Sequence, residues 1–310
     1  MKAVLVEEAF SDPDWIYEVK LDGERCLAVA FRGTVKLLSR NQKSMNASYP
    51  EIVESLEGQG PESFIIDGEV VAFEKGVPSF SRLQRRMHVN DPVKAKQIGV
   101  AVFFYVFDVL HVDGWDVTQV PLRARKSLLR SAFSFEDRVL RFVEHRNQHG
   151  ERYFRNICAK PGWEGLIAKR ADSTYKHNRS RDWLKFKCSN EQEFVIGGYT
   201  EPQGSREGFG ALLLGVYDGD DLVYAGKVGT GYDTETLLDL SAKLRSRERK
   251  TSPFVDDDVA RIKGAHFVRP DLVAQIGFAE WTPTNRLRHP RFLGLRRDKP
   301  ARDVVRERPR

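Results

Sequence analysis

The chain has 310 residues, more than one ordinary hydrophobic core holds, so two domains are expected. Its apolar share of 41% and charged share of 30% fit a soluble globular protein and exclude a fibrous or disordered one. The net charge of +6 is compatible with a polyanionic partner, and the longest apolar run, Val100 to Phe107, is far short of the roughly 20 residues that span a bilayer.

In chain order, Trp15-Ile16-Tyr17-Glu18-Val19 reads as a strand of aromatic and β-branched residues. Asp22-Gly23 reads as a turn into a second strand, Cys26 to Phe31, and Thr34 to Leu38 continues this hairpin. Pro50 opens a short helix over Glu51 to Glu57. Phe64 to Phe73 is an apolar strand broken by Asp67-Gly68-Glu69, and Ser81 to Met87 reads as a basic helix. Ala101 to Leu110 is nearly continuous in apolar residues, as in a strand buried on both faces. A helix over 122–133, a strand near Val139 to Val143 and a helix near Asn147 to Lys160 follow. After Pro161-Gly162, Glu164 to Lys169 is a strand. Trp183-Leu184-Lys185-Phe186-Lys187 alternates with period two, which puts both lysines on one face.

Beyond residue 190 the texture changes. Three short strands, Glu193 to Tyr199, Ala211 to Tyr217 and Leu222 to Val228, are separated by Gly/Ser-rich turns such as Pro202-Gln203-Gly204-Ser205. A helix near Thr234 to Leu244 precedes an irregular stretch, and strands return at Ile276 to Trp281 and Phe292 to Leu295. Short strands around one helix point to a small β-barrel of the OB type. Residues 286–310 carry ten Arg/Lys against three Asp/Glu, with Phe292, Leu293 and Leu295 among them, so the first half of this segment is expected to pack. Cys26, Cys158 and Cys188 are widely spaced and indicate neither a disulfide framework nor a zinc site; a reducing cytoplasm fits. The opening eight residues lack the pattern of a signal peptide.

Charge inside apolar strands is expensive unless it is used. Asp67 and Glu69 interrupt one such run, Asp108 another, and Glu164 and Lys169 flank a third. If these strands line a common cleft, they gather a lysine nucleophile candidate, carboxylates able to hold a hard cation, and several phosphate-pairing bases. Phe107 could offer a face to a base or simply pack in the core. Asp67 and Asp108 read as structural acceptors, and Arg40 as either a site residue or a solvated strand end. His177 and His289 read as surface or packing residues rather than ligands.

The ordered set Lys20-Leu21-Asp22-Gly23-Glu24-Arg25, Ser39-Arg40-Asn41, Asp67-Gly68-Glu69, Phe107-Asp108, Glu164 to Lys169 and Trp183 to Lys187 resembles the nucleotidyltransferase motifs of ATP-dependent DNA ligases. Arg288 to Lys299 is similar to the last ligase motif, with His289 where that family usually has Phe. Phe194 to Tyr199 and Gly226 to Gly231 resemble the ligase module of bacterial non-homologous end-joining ligases. The resemblance implies an α+β nucleotidyltransferase (adenylation) domain with antiparallel sheets and flanking helices at 1–190. An OB-fold β-barrel domain at 191–310 would follow it.

By the same resemblance, Lys20 would attack the α-phosphorus of ATP, its proton removed with help from nearby cations and partial burial. Glu18 would read the adenine edge and Phe107 stack on the base. Glu69 and Glu164 would hold Mg²⁺ or Mn²⁺, Glu69 alternatively the ribose. Arg25 and Arg40 would hold the nucleotide or a DNA 5′-phosphate, Lys185 and Lys187 the α-phosphate, and Arg288, Arg296 and Lys299 the leaving pyrophosphate. Lys169 is left without a role. The implied substrate is nicked double-stranded DNA, with end-joining proteins as further partners, no membrane, and a cytoplasmic monomer at the nucleoid. An RNA ligase or capping guanylyltransferase on the same core stays open, as does an inactive nucleic-acid-binding module.

Overall fold

The run Trp15–Lys20 is a strand, but it forms no hairpin with the strand Glu24–Phe31: the two belong to different sheets. The computed structural model describes residues 1–160, 162–188, 190–202 and 207–307. Gly23 explains the departure. A Cβ there would run into the backbone carbonyl of Val70, so Asp22-Gly23 threads the chain tightly from one sheet to the other instead of reversing it. The Pro161 half of one expected turn and residues 203–205 of another lie outside the described residues.

The chain divides into two compact units, Met1–Cys188 and Ser189–Arg308. In the first, one sheet has the order Lys2–Leu5, Arg179–Lys187, Gly165–Arg170, Trp15–Lys20, His145–Arg146. The other runs Thr34–Ser39, Glu24–Phe31, Ser63–Glu74, Val102–Val112, Trp115–Asp116, with Leu140–Phe142 pairing parallel to Val102–Val112. Alternation along Glu24–Phe31 turns Cys26, Ala28 and Ala30 into a core. The helices Pro50–Glu57, Phe80–Gln84 and Leu122–Ala132 add Ile52, Leu56, Leu83 and Leu129 to it.

The expected basic helix is shorter than its sequence suggests. It starts at the Ser79 cap and ends at Gln84, because Arg86 turns inward and donates to the carbonyls of Val100 and Ser48, both at 2.8 Å. A helix at Pro92–Gln97, capped by the Asp91 carboxylate, was not expected.

The helix Gly150–Cys158 packs Ile157 and Phe154 against Leu166 and Phe186 of the first sheet. Its last residue thereby meets the end of Arg179–Lys187, and Cys158 and Cys188 form a disulfide across 30 residues. This corrects the expectation drawn from spacing, which could not see that a helix and a strand end at one place. Cys26 is free and buried.

The second unit is an antiparallel sheet in the order Asp221–Val228, Leu212–Asp218, Asn190–Thr200, Ala265–Phe278, Glu248–Arg249, with Arg291–Arg296 also on Ala265–Phe278. The Phe292 amide donates to the Thr230 carbonyl just past Asp221–Val228, so the sheet curls back toward its far edge as a barrel does. The helix Thr234–Arg245 contributes Leu240 and Leu244 to the core. Part of the stretch expected to be irregular is the first half of the 14-residue strand Ala265–Phe278. Pro270 hides it in the sequence: the ladder skips from Phe267 to Leu272 around a residue that has no N–H to donate.

Candidate active site

Three neighbouring strands of the first sheet place the chemistry in rows. Directly opposed residues of antiparallel strands share a face. Lys20 stands opposite Gly165, which stands opposite Lys187; Glu18, Ile167 and Lys185 form the next row, and Ile16, Lys169 and Trp183 the third. Lys20, Glu18, Lys185 and Lys187 therefore rise from one face. Gly165 keeps the first row close: its φ is +145°, and a Cβ would overlap the carbonyl of Phe186. Ile167, between Glu18 and Lys185, is a site position the motif reading passed over, since an aliphatic residue in a strand carries no chemical signal.

Lys20 is paired with Glu164, which is 9% exposed. Burial alone would lower the lysine's pKa, but Glu164, with Asp22 and Glu69 behind it, outweighs burial and raises it. The expectation was that cations and burial lower it; the nearest charges are instead carboxylates, which favour the ammonium. The same carboxylates are hard oxygen donors of the kind Mg²⁺ or Mn²⁺ takes. Glu164 Oε2 is buried and meets Lys20 without an aligned hydrogen bond, an oxygen with capacity left for a cation. No group of three or more His, Cys, Asp or Glu side chains poised to chelate occurs among the described residues. A cation here fits the pattern of one or two carboxylates completed by phosphate oxygens.

Arg25 grips Asp67 with two hydrogen bonds of 2.5 Å, and Tyr175 donates to the same carboxylate at 2.7 Å. Burial would raise the pKa of Asp67, but Arg25 more than reverses this and lowers it. Asp108, completely buried, receives Arg125 at 2.7 and 2.9 Å. Both aspartates are thus structural acceptors. Phe107 is 9% exposed and packs with Tyr175 and Trp183, its ring contacted by Arg25 at 4.7 Å and Lys169 at 4.2 Å. Glu69 lies on Ser63–Glu74, opposite Arg25. Arg40 is exposed in the turn after Thr34–Ser39, apart from these ion pairs. His177 and His289 are exposed.

Glu18 is 2% exposed and is held by two lysines, Lys126 and Lys169, each at 2.5 Å. Burial would raise its pKa, yet Lys126 and then Lys169 bring it below the usual carboxylate value. Lys169 is completely enclosed, with the faces of Phe107 and Trp183 at 4.2 and 4.1 Å; desolvation lowers its pKa to about 8 against the pull of Glu18. The sequence reading placed a helix over 122–133 and gave Lys126 no role, since nothing local marks a helical lysine as buried.

In the second unit, Arg288 is exposed and pairs with Glu280 at 2.6 Å. Arg296 holds Asp298 through two bonds of 2.9 and 2.8 Å, and Lys299 pairs with Glu193 at 3.1 Å. With Lys243, Arg247 and Arg297, Arg296 and Lys299 line a cavity of about 270 Å³.

Comparisons with known proteins agree with the motif reading. Residues 2–187 match the ATP dependent DNA ligase domain and residues 205–299 the ATP dependent DNA ligase C terminal region. The multifunctional non-homologous end joining protein LigD of Pseudomonas aeruginosa is 37% identical over 302 residues, covering 96% of this chain and 35% of that protein. The LigD of Mycobacterium tuberculosis is 38% identical over 298 residues, 94% of this chain and 37% of that protein. The chain thus spans little more than a third of the length of these two relatives. A structure of mycobacterial DNA ligase D complexed with ATP and MES superposes with a TM-score of 0.68 at 34% identity, over 98% of both chains. The chain belongs to the ATP-dependent DNA ligase family, with a nucleotidyltransferase domain followed by the family's C-terminal domain.

Proposed function

We propose that the chain seals nicks between a 3′-hydroxyl and a 5′-phosphate in double-stranded DNA, as the ligase part of an end-joining enzyme. The observation that carries this is the single sheet face from which Lys20, Glu18, Lys185 and Lys187 rise, with Glu164 against the lysine.

The neutral Lys20 amine attacks the α-phosphorus of ATP; the bond to the β-phosphate oxygen breaks, pyrophosphate leaves, and the amine proton passes to solvent. An oxygen of the DNA 5′-phosphate then attacks the same phosphorus, the P–N bond breaks, and the Lys20 nitrogen takes a proton from solvent and departs as an amine. Finally the 3′-hydroxyl attacks the DNA phosphorus and AMP leaves. Lys185 and Lys187 neutralise charge that collects on the phosphates. Glu69 and Glu164 would hold the divalent cation, which supplies the same neutralisation when bound. Arg25, held by Asp67 beside Phe107, and Arg40 would hold the nucleotide or the DNA 5′-phosphate. The domains of this reading are the adenylation domain at 1–190 and the OB domain at 191–310. Arg288, Arg296 and Lys299 of the latter act on pyrophosphate departure. The enzyme works as a monomer in the cytoplasm, at the nucleoid. Family membership favours DNA ligation over RNA ligation, cap formation or an inactive binding module.

The test is intact and peptide mass spectrometry after incubation with ATP and Mg²⁺, followed by nicked DNA. An AMP adduct on Lys20 that disappears as the nick closes is the expected result. Lys20→Ala and Lys20→Arg form no adduct, the second because arginine stays protonated. An adduct on either variant refutes the assignment.

A further inference from the structure

Lys126 touches both groups that flank the nucleophile's strand face, and the ligase chemistry above gives it no task. It lies on the helix Leu122–Ala132 and is 2% exposed. Its ammonium has three donors and three acceptors: Glu18 Oε1 at 2.5 Å, the Val143 carbonyl at 2.9 Å and the Phe107 carbonyl at 3.5 Å. The neighbouring Arg125 holds Asp108. Consecutive helix residues thus fasten the two strands that carry Glu18 and Phe107.

Glu18 precedes Lys20 by two residues on one face, so their backbones are ~7 Å apart along the strand. That is the scale of a nucleotide, from the phosphorus Lys20 attacks to the edge of its base. The Phe107 ring and Glu18 are bridged by Lys169, and Ile167 lies beside Glu18, so the carboxylate is set among apolar side chains. An ionised carboxylate only accepts hydrogen bonds, at about four lone-pair sites. Lys126 donates to one oxygen and Lys169 meets the other as an ion pair, so acceptor capacity remains.

We propose that Lys126 is a positioning residue that sets base specificity. By holding Glu18 as an acceptor-only group, it selects a purine with an amino donor on its six-membered edge and rejects one with a carbonyl there. This rests on the reading of Lys20 as the nucleotidyl acceptor. The depressed pKa of Glu18, with Lys126 the largest favourable influence, agrees with it. Without Lys126 the buried Glu18 keeps one cation and protonates more readily. A protonated carboxyl donates, and a purine carbonyl becomes acceptable to it.

The experiment measures single-turnover adduct formation with ATP and with GTP, separately, for the wild type and four variants. Lys126→Met and Glu18→Gln each lower the ATP:GTP preference by roughly tenfold or more, as expected when a polar discriminator is lost. Lys126→Arg, which keeps the charge, restores most of the preference. Adding Lys126→Met to Glu18→Gln changes the ratio no further, because Glu18 no longer has a charge to hold. Should Lys126→Met not fold, Lys126→Gln, with two donors for the carbonyls and no charge, takes its place with the same expectation. Equal slowing with both nucleotides at an unchanged ratio means that Lys126 merely supports the fold, and overturns the proposal. A wild type that forms no adduct on Lys20 from ATP overturns the ligase reading itself, and this inference with it.

Discussion

One methyl group on Gly165 tests whether the row of Lys20, Gly165 and Lys187 is the working geometry. Gly165→Ala places a Cβ where the φ is +145°, a region that costs other residues about 1–3 kcal/mol. The same Cβ overlaps the Phe186 carbonyl and comes within 3.0 Å of the Lys187 Cα, so relief requires the strands to part. Overpacking of this kind costs a further 1–3 kcal/mol or so. Together about 2–6 kcal/mol is lost from the first unit, and at roughly 2–4 °C per kcal/mol the melting temperature falls by at least about 4 °C. Parting the strands by ~1 Å displaces the amine from its phosphorus, which is worth roughly 100-fold in rate. Calorimetry and single-turnover AMP transfer, measured well below the melting point, read both effects. Wild-type kinetics in a destabilised Gly165→Ala protein would show that the row does not set the attack geometry.

Glu69→Ala and Glu164→Ala are each expected to slow sealing by roughly 100-fold or more while far-ultraviolet circular dichroism stays unchanged; near-normal rates at limiting Mg²⁺ would make both residues structural. Reducing the Cys158–Cys188 bond, or replacing Cys158 with Ser, releases a crosslink over 30 residues, for which loop entropy gives about 3–4 kcal/mol. A melting temperature indifferent to reductant would show that the crosslink contributes nothing. Arg288→Ala, Arg296→Ala and Lys299→Ala should react poorly with ATP yet seal a nick whose 5′-phosphate already carries AMP, since no pyrophosphate leaves in that step. Intact adenylation with failed, salt-sensitive sealing would instead make them grips on the DNA backbone.

The strands were legible because their signals are local. The period-two run at Trp183–Lys187 and the apolar block at Val102–Val112 need no distant partner to be recognised. Pairing was less legible. Asp22-Gly23 looks like any hairpin turn, and only the Val70 carbonyl pressed against Gly23 shows that the chain is changing sheets. The disulfide depends on where a helix and a strand both stop. Lys126 depends on a helix turning two consecutive basic residues inward, where sequence convention assigns them to water. The motif residues Lys20, Glu164, Lys185 and Lys187 could be named in advance, whereas the direct pairing of Lys20 with Glu164 could not.

That last gap changes the chemistry expected of the nucleophile. A lysine surrounded by cations would wait as a free amine; Lys20, held by Glu164 with Asp22 and Glu69 nearby, waits as an ammonium and cannot attack. Its activation therefore requires the carboxylates to find another positive partner. The oxygen that holds Lys20 back, Glu164 Oε2, is also the buried oxygen with capacity left for a cation. On the proposed reading, Glu164 would hold the divalent cation, which would supply positive charge in place of the Lys20 ammonium. Glu18 differs: its partners Lys126 and Lys169 come from the protein itself and favour its ionised form. On the same proposed reading, Glu18 on Trp15–Lys20 and Glu164 just before Gly165–Arg170 would divide the work, Glu18 for recognition of the nucleotide and Glu164 for control of Lys20.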